Sequence, residues 1–148
     1  MRNRGFEVIS SFRDKNINLP VRKTAHSAGY DIEAAESVSV EPGALALIAT
    51  GLKAYMQADE YLGIHIRSSL GIKQQLLLAN SQGVVDADYY NNSDNEGHII
   101  IALRNVGDRT VTINKGDRIA QGIFYRYLTV DEDFAEGTRS GGFGSTGR

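Results

Sequence analysis

Three features of the sequence predict an all-β fold. Apolar residues alternate with polar or small ones, as in Leu62, Ile64 and Ile66 interleaved with Gly63, His65 and Arg67. Short apolar segments recur along the chain between turn residues, and stretches of helical period are scarce. Many short strands at such spacing build a sandwich, a jelly roll or a barrel.

In chain order the strand candidates are residues 6–10, 37–40, 44–48, 62–66, 75–79, 98–104, 110–113 and 118–124. They are punctuated by Glu41-Pro42-Gly43, Asn105-Val106-Gly107-Asp108 and Asn114-Lys115-Gly116-Asp117. Pro presets the turn, Gly accepts positive φ, and Asn and Asp bond their own backbone. Small residues 27–29 lead Asp31 onto a strand, and Gly83-Val84-Val85 deliver Asp86 to a strand end. Residues 68–74, with Ser at a possible cap, read as a turn or short helix. The stretch after Tyr89 is polar and reads as a loop rather than core.

With 148 residues, 41% hydrophobic and 23% charged, the chain suits one domain that buries roughly 68–70% of its unfolded surface. Having no cysteine, it has no disulfide, thiolate zinc site or thiol nucleophile. Lys and Arg number 16 against 18 Asp and Glu, a net charge of −2, so no broad basic footprint for nucleic acid is expected. No apolar run is long enough to span a bilayer, and the start, Met1-Arg2-Asn3-Arg4, lacks a signal core, so a cytoplasmic location is expected. The composition changes near the C-terminus, giving a domain over 1–135 and a flexible segment over 136–148 with five glycines and Phe143.

Five segments could carry chemistry. Asn80 to Tyr89 brings Asp86, Asp88 and an aromatic to a strand end; a carboxylate there accepts a proton from water, and an aromatic packs on a sugar or base. Arg67-Ser68-Ser69-Leu70-Gly71 offers a guanidinium, hydroxyls and close backbone approach, which suit phosphate oxygens. The tail from Arg139 to Gly147 resembles a phosphate cradle but has no Gly-Lys-Ser/Thr ending, so it is no P-loop. Gly116 to Phe124 sets Gln121 between Ile119 and Ile123, and Ser27 to Ala34 carries Asp31. His26, His65 and His98 lack metal-ligand spacing.

Each segment alone also fits a solvated turn or cap, but their joint order is specific. Ala28-Gly-Tyr-Asp-Ile32, Arg67-Ser-Ser-Leu-Gly71, Gly83-Val-Val-Asp-Ala-Asp-Tyr89, Gly116-Asp-Arg-Ile-Ala-Gln121 and Gly142-Phe-Gly-Ser-Thr-Gly147 resemble the five motifs of the trimeric dUTPase family, over most of the chain. The resemblance implies a jelly-roll-like distorted β-barrel and a homotrimer with active sites at subunit interfaces. Each site would draw on all three chains, and the glycine-rich arm would close over a neighbour's site. The implied reaction is dUTP and water giving dUMP and pyrophosphate, by in-line attack on the α-phosphate with Mg²⁺ held mainly by the triphosphate. Such an enzyme limits uracil in DNA and supplies dUMP for thymidylate synthesis.

The resemblance also implies residue roles. Asp86 matches the carboxylate that activates water, and Tyr89 matches the aromatic that packs on deoxyribose. Asn80 matches a uracil-recognising side chain, Ile100 a backbone group at the uracil edge, and Gly83 and Gly144 fall in substrate-binding stretches. Arg67, Ser68, Ser69 and Gln121 match phosphate contacts, with Gly71 in the same turn, and Asp31 matches a carboxylate that orders metal-bound water. Phe143 matches the aromatic that covers uracil, while Arg139, Ser145 and Thr146 match phosphate contacts of the tail.

This chain departs from the family pattern in three places. Ile66 stands where Pro is common, seven residues separate Tyr89 from Gly97 where many members have one, and Arg139 lies one residue nearer the Gly-Gly-Phe. The long loop from Tyr90 to Glu96 is a candidate surface for a regulatory protein partner. Two rival readings are a deoxycytidine triphosphate deaminase, disfavoured by the hydrolase pattern around Asp86, and a non-enzymatic binding module, disfavoured by the presence of both Asp86 and the Phe143 tail.

Overall fold

A computed structural model describes residues 1–144, so Ser145 and Thr146 of the tail lie outside the described residues. The chain is a jelly-roll-like all-β fold. Its strands are β1 (Gly5–Val8), β2 (Tyr30–Glu33), β3 (Val38–Val40), β4 (Leu45–Ala49), β5 (Leu52–Tyr55), β6 (Glu60–Ile66), β7 (Leu76–Leu78), β8 (Gly83–Asp86), β9 (Ile100–Asn105), β10 (Val111–Ile113) and β11 (Arg118–Arg126). One short helix, α1 (Ser68–Lys73), and two single 3₁₀ turns, Ser10–Phe12 and Ala87–Tyr89, complete the described elements.

Two sheets form the body, one in the order β2-β11-β6-β8 and one in the order β4-β9-β7; β1 pairs with β5 and β3 with β10. All the strand pairings are antiparallel. Strand β9 shows why the sequence alternates: Ile101, Leu103 and Asn105 face inward and are buried, while Arg104 is exposed. The inner faces meet in one core that includes Ile32, Ile48, Leu52, Leu62, Leu76, Leu103 and Ile119. Asn105 is fully buried yet satisfied: its Nδ2 donates to the carbonyls of Val40 and Arg109, and its Oδ1 accepts the Gly107 N–H.

Several expected boundaries shift for local reasons. Strand β7 starts at Leu76 rather than 75 because Gln75 has a φ of 57°, outside the extended region. The first strand stops at Val8 because the chain turns into the 3₁₀ segment Ser10–Phe12. Strand β5 carries Lys53 in its interior, which masks it as an apolar segment, although Leu52, Lys53 and Ala54 are all buried. Ile66 pairs with Ala120 at the end of β6, a ladder position where Pro would lack the N–H donor.

Candidate active site

The residues singled out in the sequence gather in two places. Asn80, Gly83, Asp86, Tyr89 and Ile100 line one pocket, together with Arg139, Gly142 and Phe143 of the arm. Asp31, Arg67, Ser68, Ser69 and Gln121 line a second pocket with Lys23, Ser27, Gly29 and Arg118. The two pockets share no lining residue. Gly71 lies in α1, in the same turn as the serines.

Sheet order explains the separation. Asp31 on β2 pairs with Gln121 on β11, and Gln121 pairs with His65 on β6, whereas Asp86 on β8 pairs with Tyr61, four residues further along β6. Three strand spacings across and four residues along put the two carboxylates roughly 20 Å apart. No single phosphate group reaches both within one chain.

In the first pocket the apolar pair Val84-Val85 seats β8 in the sheet, so that Asp86 stands at its end with Tyr89 on the following 3₁₀ turn. The pocket wall is apolar, with Ile64, Leu78, Ile99 and Ile101. The Tyr89 hydroxyl donates to the His98 carbonyl at 2.6 Å and accepts from Asn95 Nδ2 at 2.8 Å. Burial raises the phenol above its ordinary pKa, so it stays neutral near pH 7.

The arm lies across this pocket. Arg139 donates from one terminal nitrogen to Asp86 at 2.5 Å and from Nε to Asp88 at 2.7 Å. The Asp94 N–H donates to the Ser140 carbonyl at 2.9 Å, which rests the arm on the loop after Tyr89. Gly142 runs close over the Tyr89 ring, where an added Cβ would stand 3.1 Å from Cε1. Phe143 lines the pocket edge while remaining largely exposed.

The loop itself is tied inward, although its polar sequence reads as solvated. Lys53 Nζ, nearly buried, donates to Asn91 at 2.6 Å and to Glu96 at 2.7 Å, and Tyr90 donates to Glu7 at 2.5 Å. Asn92 is buried, and its amide bonds the Tyr89 carbonyl and Asn95. Gly97 closes the hairpin neck at a φ of 91°, where an added Cβ would lie 2.8 Å from the Tyr89 carbonyl oxygen. Sequence reasoning missed these anchors; the spacing of Lys53 in a strand and of Asn92 and Asn95 in the loop is their only trace.

The second pocket is electropositive around one carboxylate. Asp31 lies 3.8 Å from Arg67 Nε and 3.5 Å from Arg118, and Arg67 also donates to the Arg118 carbonyl at 3.4 Å. Gly29 makes room for Gln121, whose side chain would collide with a Cβ there. Among the described residues no group of three His, Cys, Asp or Glu side chains could hold a metal ion. A lone carboxylate beside two guanidinium groups suits a hydrogen bond to metal-bound water better than direct ligation. No helix of the described residues is long and apolar enough to cross a membrane.

Comparison with known proteins gives these two pockets a context. The dUTPase family model matches residues 15–147. The deoxyuridine 5'-triphosphate nucleotidohydrolase of Lactococcus lactis is 55% identical over 99% of both chains, and that of Wolinella succinogenes is 36% identical over 90% of this chain and 89% of its own. The crystal structure of dUTPase from Streptococcus mutans is 49% identical, covers 86% of this chain and 98% of its own, and has a TM-score of 0.81. A mutant dUTPase from phage phi11 of S. aureus, in which a structural Mg(II) ion is coordinated, shares the fold at 24% identity, with a TM-score of 0.75 over 94% of this chain and all of its own.

Proposed function

Because the chain belongs to the dUTPase family, we propose that it hydrolyses dUTP to dUMP and pyrophosphate at a site completed between copies of the chain. The observation that carries this reading is the first pocket, where a carboxylate, an amide, an aromatic wall and the arm's Phe143 surround one apolar cavity. A flat base fits between Phe143 and the β8–β9 wall, with Asn80 and the backbone at Ile100 placed for its polar edge. Tyr89 supplies a face for deoxyribose.

Asp86 accepts a proton from water as the oxygen attacks the α-phosphorus, and the bond to the bridging oxygen of the pyrophosphate breaks in line. Both electrons of that bond leave with pyrophosphate, so no covalent enzyme intermediate is needed. Arg67, Ser68, Ser69 and Gln121 hold the phosphate oxygens by charge and hydrogen bonds. When bound with the substrate, Mg²⁺ would neutralise phosphate charge, and Asp31 would hold it through water. Substrate phosphates compete with Asp86 and Asp88 for the Arg139 guanidinium, and its transfer frees Asp86 for water.

Because the phosphate pocket and the base pocket lie apart on one chain, a complete site needs one pocket from each of two copies, in a homotrimer. Two surfaces support assembly. Leu45, Leu47 and Leu77 are exposed on the outer face of the β4-β9-β7 sheet, and Leu128, Val130 and Phe134 are exposed on the arm. In the single chain the arm returns to its own pocket. The 13 residue steps from Arg126 to Arg139 extend to roughly 40 Å, enough to reach a neighbour's pocket instead. In the cytoplasm such an enzyme keeps uracil out of DNA and provides dUMP for thymidylate synthesis.

The loop from Tyr90 to Glu96 turns toward Tyr89 and the N-terminal strand, so in this reading its first role is internal rather than the capture of a regulatory partner. The test is pyrophosphate release from dUTP, dCTP, dTTP and UTP in parallel, with Mg²⁺ and with chelator. Release from dUTP alone, suppressed by chelator, is expected. Release of ammonia from dCTP would favour the deaminase, and no turnover of any nucleotide would favour a binding module.

A further inference from the structure

The loop inserted after Tyr89 holds that tyrosine at its hydroxyl. Asn95 Oδ1 accepts from the Gly97 N–H at 3.0 Å and from Asn92 Nδ2 at 2.8 Å. With its oxygen end engaged twice, the other end of the amide presents a donor to Tyr89, at 2.8 Å. The Tyr89 hydroxyl therefore directs its own proton to the His98 carbonyl, at 2.6 Å. Both capacities of the phenol are filled by groups flanking Gly97, and Asn92 Nδ2 fixes the Tyr89 carbonyl at 2.8 Å.

We infer that Asn95 is a positioning residue for sugar selection, acting through Tyr89; the inference rests on the proposed packing of deoxyribose against that ring. A wall that rejects an added hydroxyl by contact does so only as strongly as it resists displacement. An anchored ring cannot tilt away from a 2′-hydroxyl without breaking hydrogen bonds, whereas a phenol with no partners swings about its side-chain torsions. The loop also has supports that do not involve Asn95, the Asn91 N–H to the Glu96 carbonyl at 2.9 Å and Lys53 to Glu96 at 2.7 Å, but Asn95 Oδ1 bonds within the loop as well, so Tyr89→Phe is the change that isolates the clamp from the loop's fold.

The experiment measures kcat/KM for dUTP and for UTP in the full-length assembled enzyme and in Asn95→Ala, Tyr89→Phe, the double variant and Tyr89→Ala. The ratio of dUTP to UTP is expected to fall about fivefold to tenfold in Asn95→Ala and in Tyr89→Phe, as befits loss of a net hydrogen bond. The double variant should fall no further than Tyr89→Phe, because without the hydroxyl Asn95 has no bond to the ring left to lose. Tyr89→Phe leaves the loop intact and carries the test if Asn95→Ala does not fold. An unchanged ratio in both single variants, or an equal loss for both nucleotides, would overturn the clamp. If Tyr89→Ala alone collapses the ratio, the clamp fails while the sugar-packing reading stands; if Tyr89→Ala leaves the ratio unchanged, that reading itself fails.

Discussion

Arg139 and Asp86 form an ion pair at 2.5 Å in which the guanidinium is mostly buried and the carboxylate is nearly half exposed. The same guanidinium reaches Asp88 at 2.7 Å. The arm is thus fastened to the carboxylate proposed to activate water.

The exposed half of this latch should be weak. Pairs in such settings contribute about 0.2–1 kcal/mol, so Asp88→Asn should raise trypsin cleavage after Arg139 about twofold to fivefold without touching Asp86. Timed proteolysis of the substrate-free enzyme reads this directly. An unchanged cleavage rate would mean that Asp88 does not hold the arm.

Asp86→Asn removes the proposed proton acceptor but keeps the shape of the pocket. Turnover of dUTP should fall by at least ~10²-fold while nucleotide binding persists. Steady-state kinetics with a binding titration separates the two quantities. Undiminished kcat would remove Asp86 from its assigned role.

Deleting the residues after Glu136 should leave the assembled β fold intact with little activity, because among the described residues none of the core lies in the arm. Circular dichroism and sedimentation check the fold and assembly, and pyrophosphate release checks the lid. Full activity without the arm would refute closure.

His98 gives the fold a pH dependence. Burial lowers its pKa, and its Nε2 accepts the Gly51 N–H at 2.9 Å, a bond that requires the ring nitrogen unprotonated. The unfolded chain binds a proton more readily, so the contribution to stability is complete above the unfolded value of about 6.5 and is lost as pH falls through the lower folded value. Urea midpoints at about pH 7.5 and about pH 5.5 should differ less in His98→Gln than in the unaltered protein. Equal pH dependence in the two proteins would contradict this.

Much of the fold was legible because strand periodicity and turn chemistry are local. Strands β6, β9, β10 and β11 fall close to the alternating segments, and α1 falls where a turn or short helix was expected, although its N-cap is Arg67 and no serine side chain caps it. Strand β5 was hidden because Lys53 interrupts its apolar pattern, and the reason for that lysine, its bonds to Asn91 and Glu96, lies about 40 positions away. The candidate site residues stood out as motifs, but their division into two pockets did not. That division depends on the sheet order β2-β11-β6-β8, which sequence order does not encode. The role of Asn92 and Asn95 was hidden for a different reason: buried amides and solvated amides look alike until their partners are known.

The claim that two separated half-sites meet between chains has a direct test. Asp86→Asn disables the base pocket and Arg67→Ala the phosphate pocket, so each variant alone should be nearly inactive. In mixed oligomers formed by refolding the two variants together in equal amounts, a site takes its base pocket from one copy and its phosphate pocket from another. Random association then leaves about a quarter of the sites with both pockets intact, so about a quarter of the unaltered activity should return on mixing. If mixed oligomers form and remain as inactive as the separate variants, both pockets of a working site come from the same chain, and the account fails.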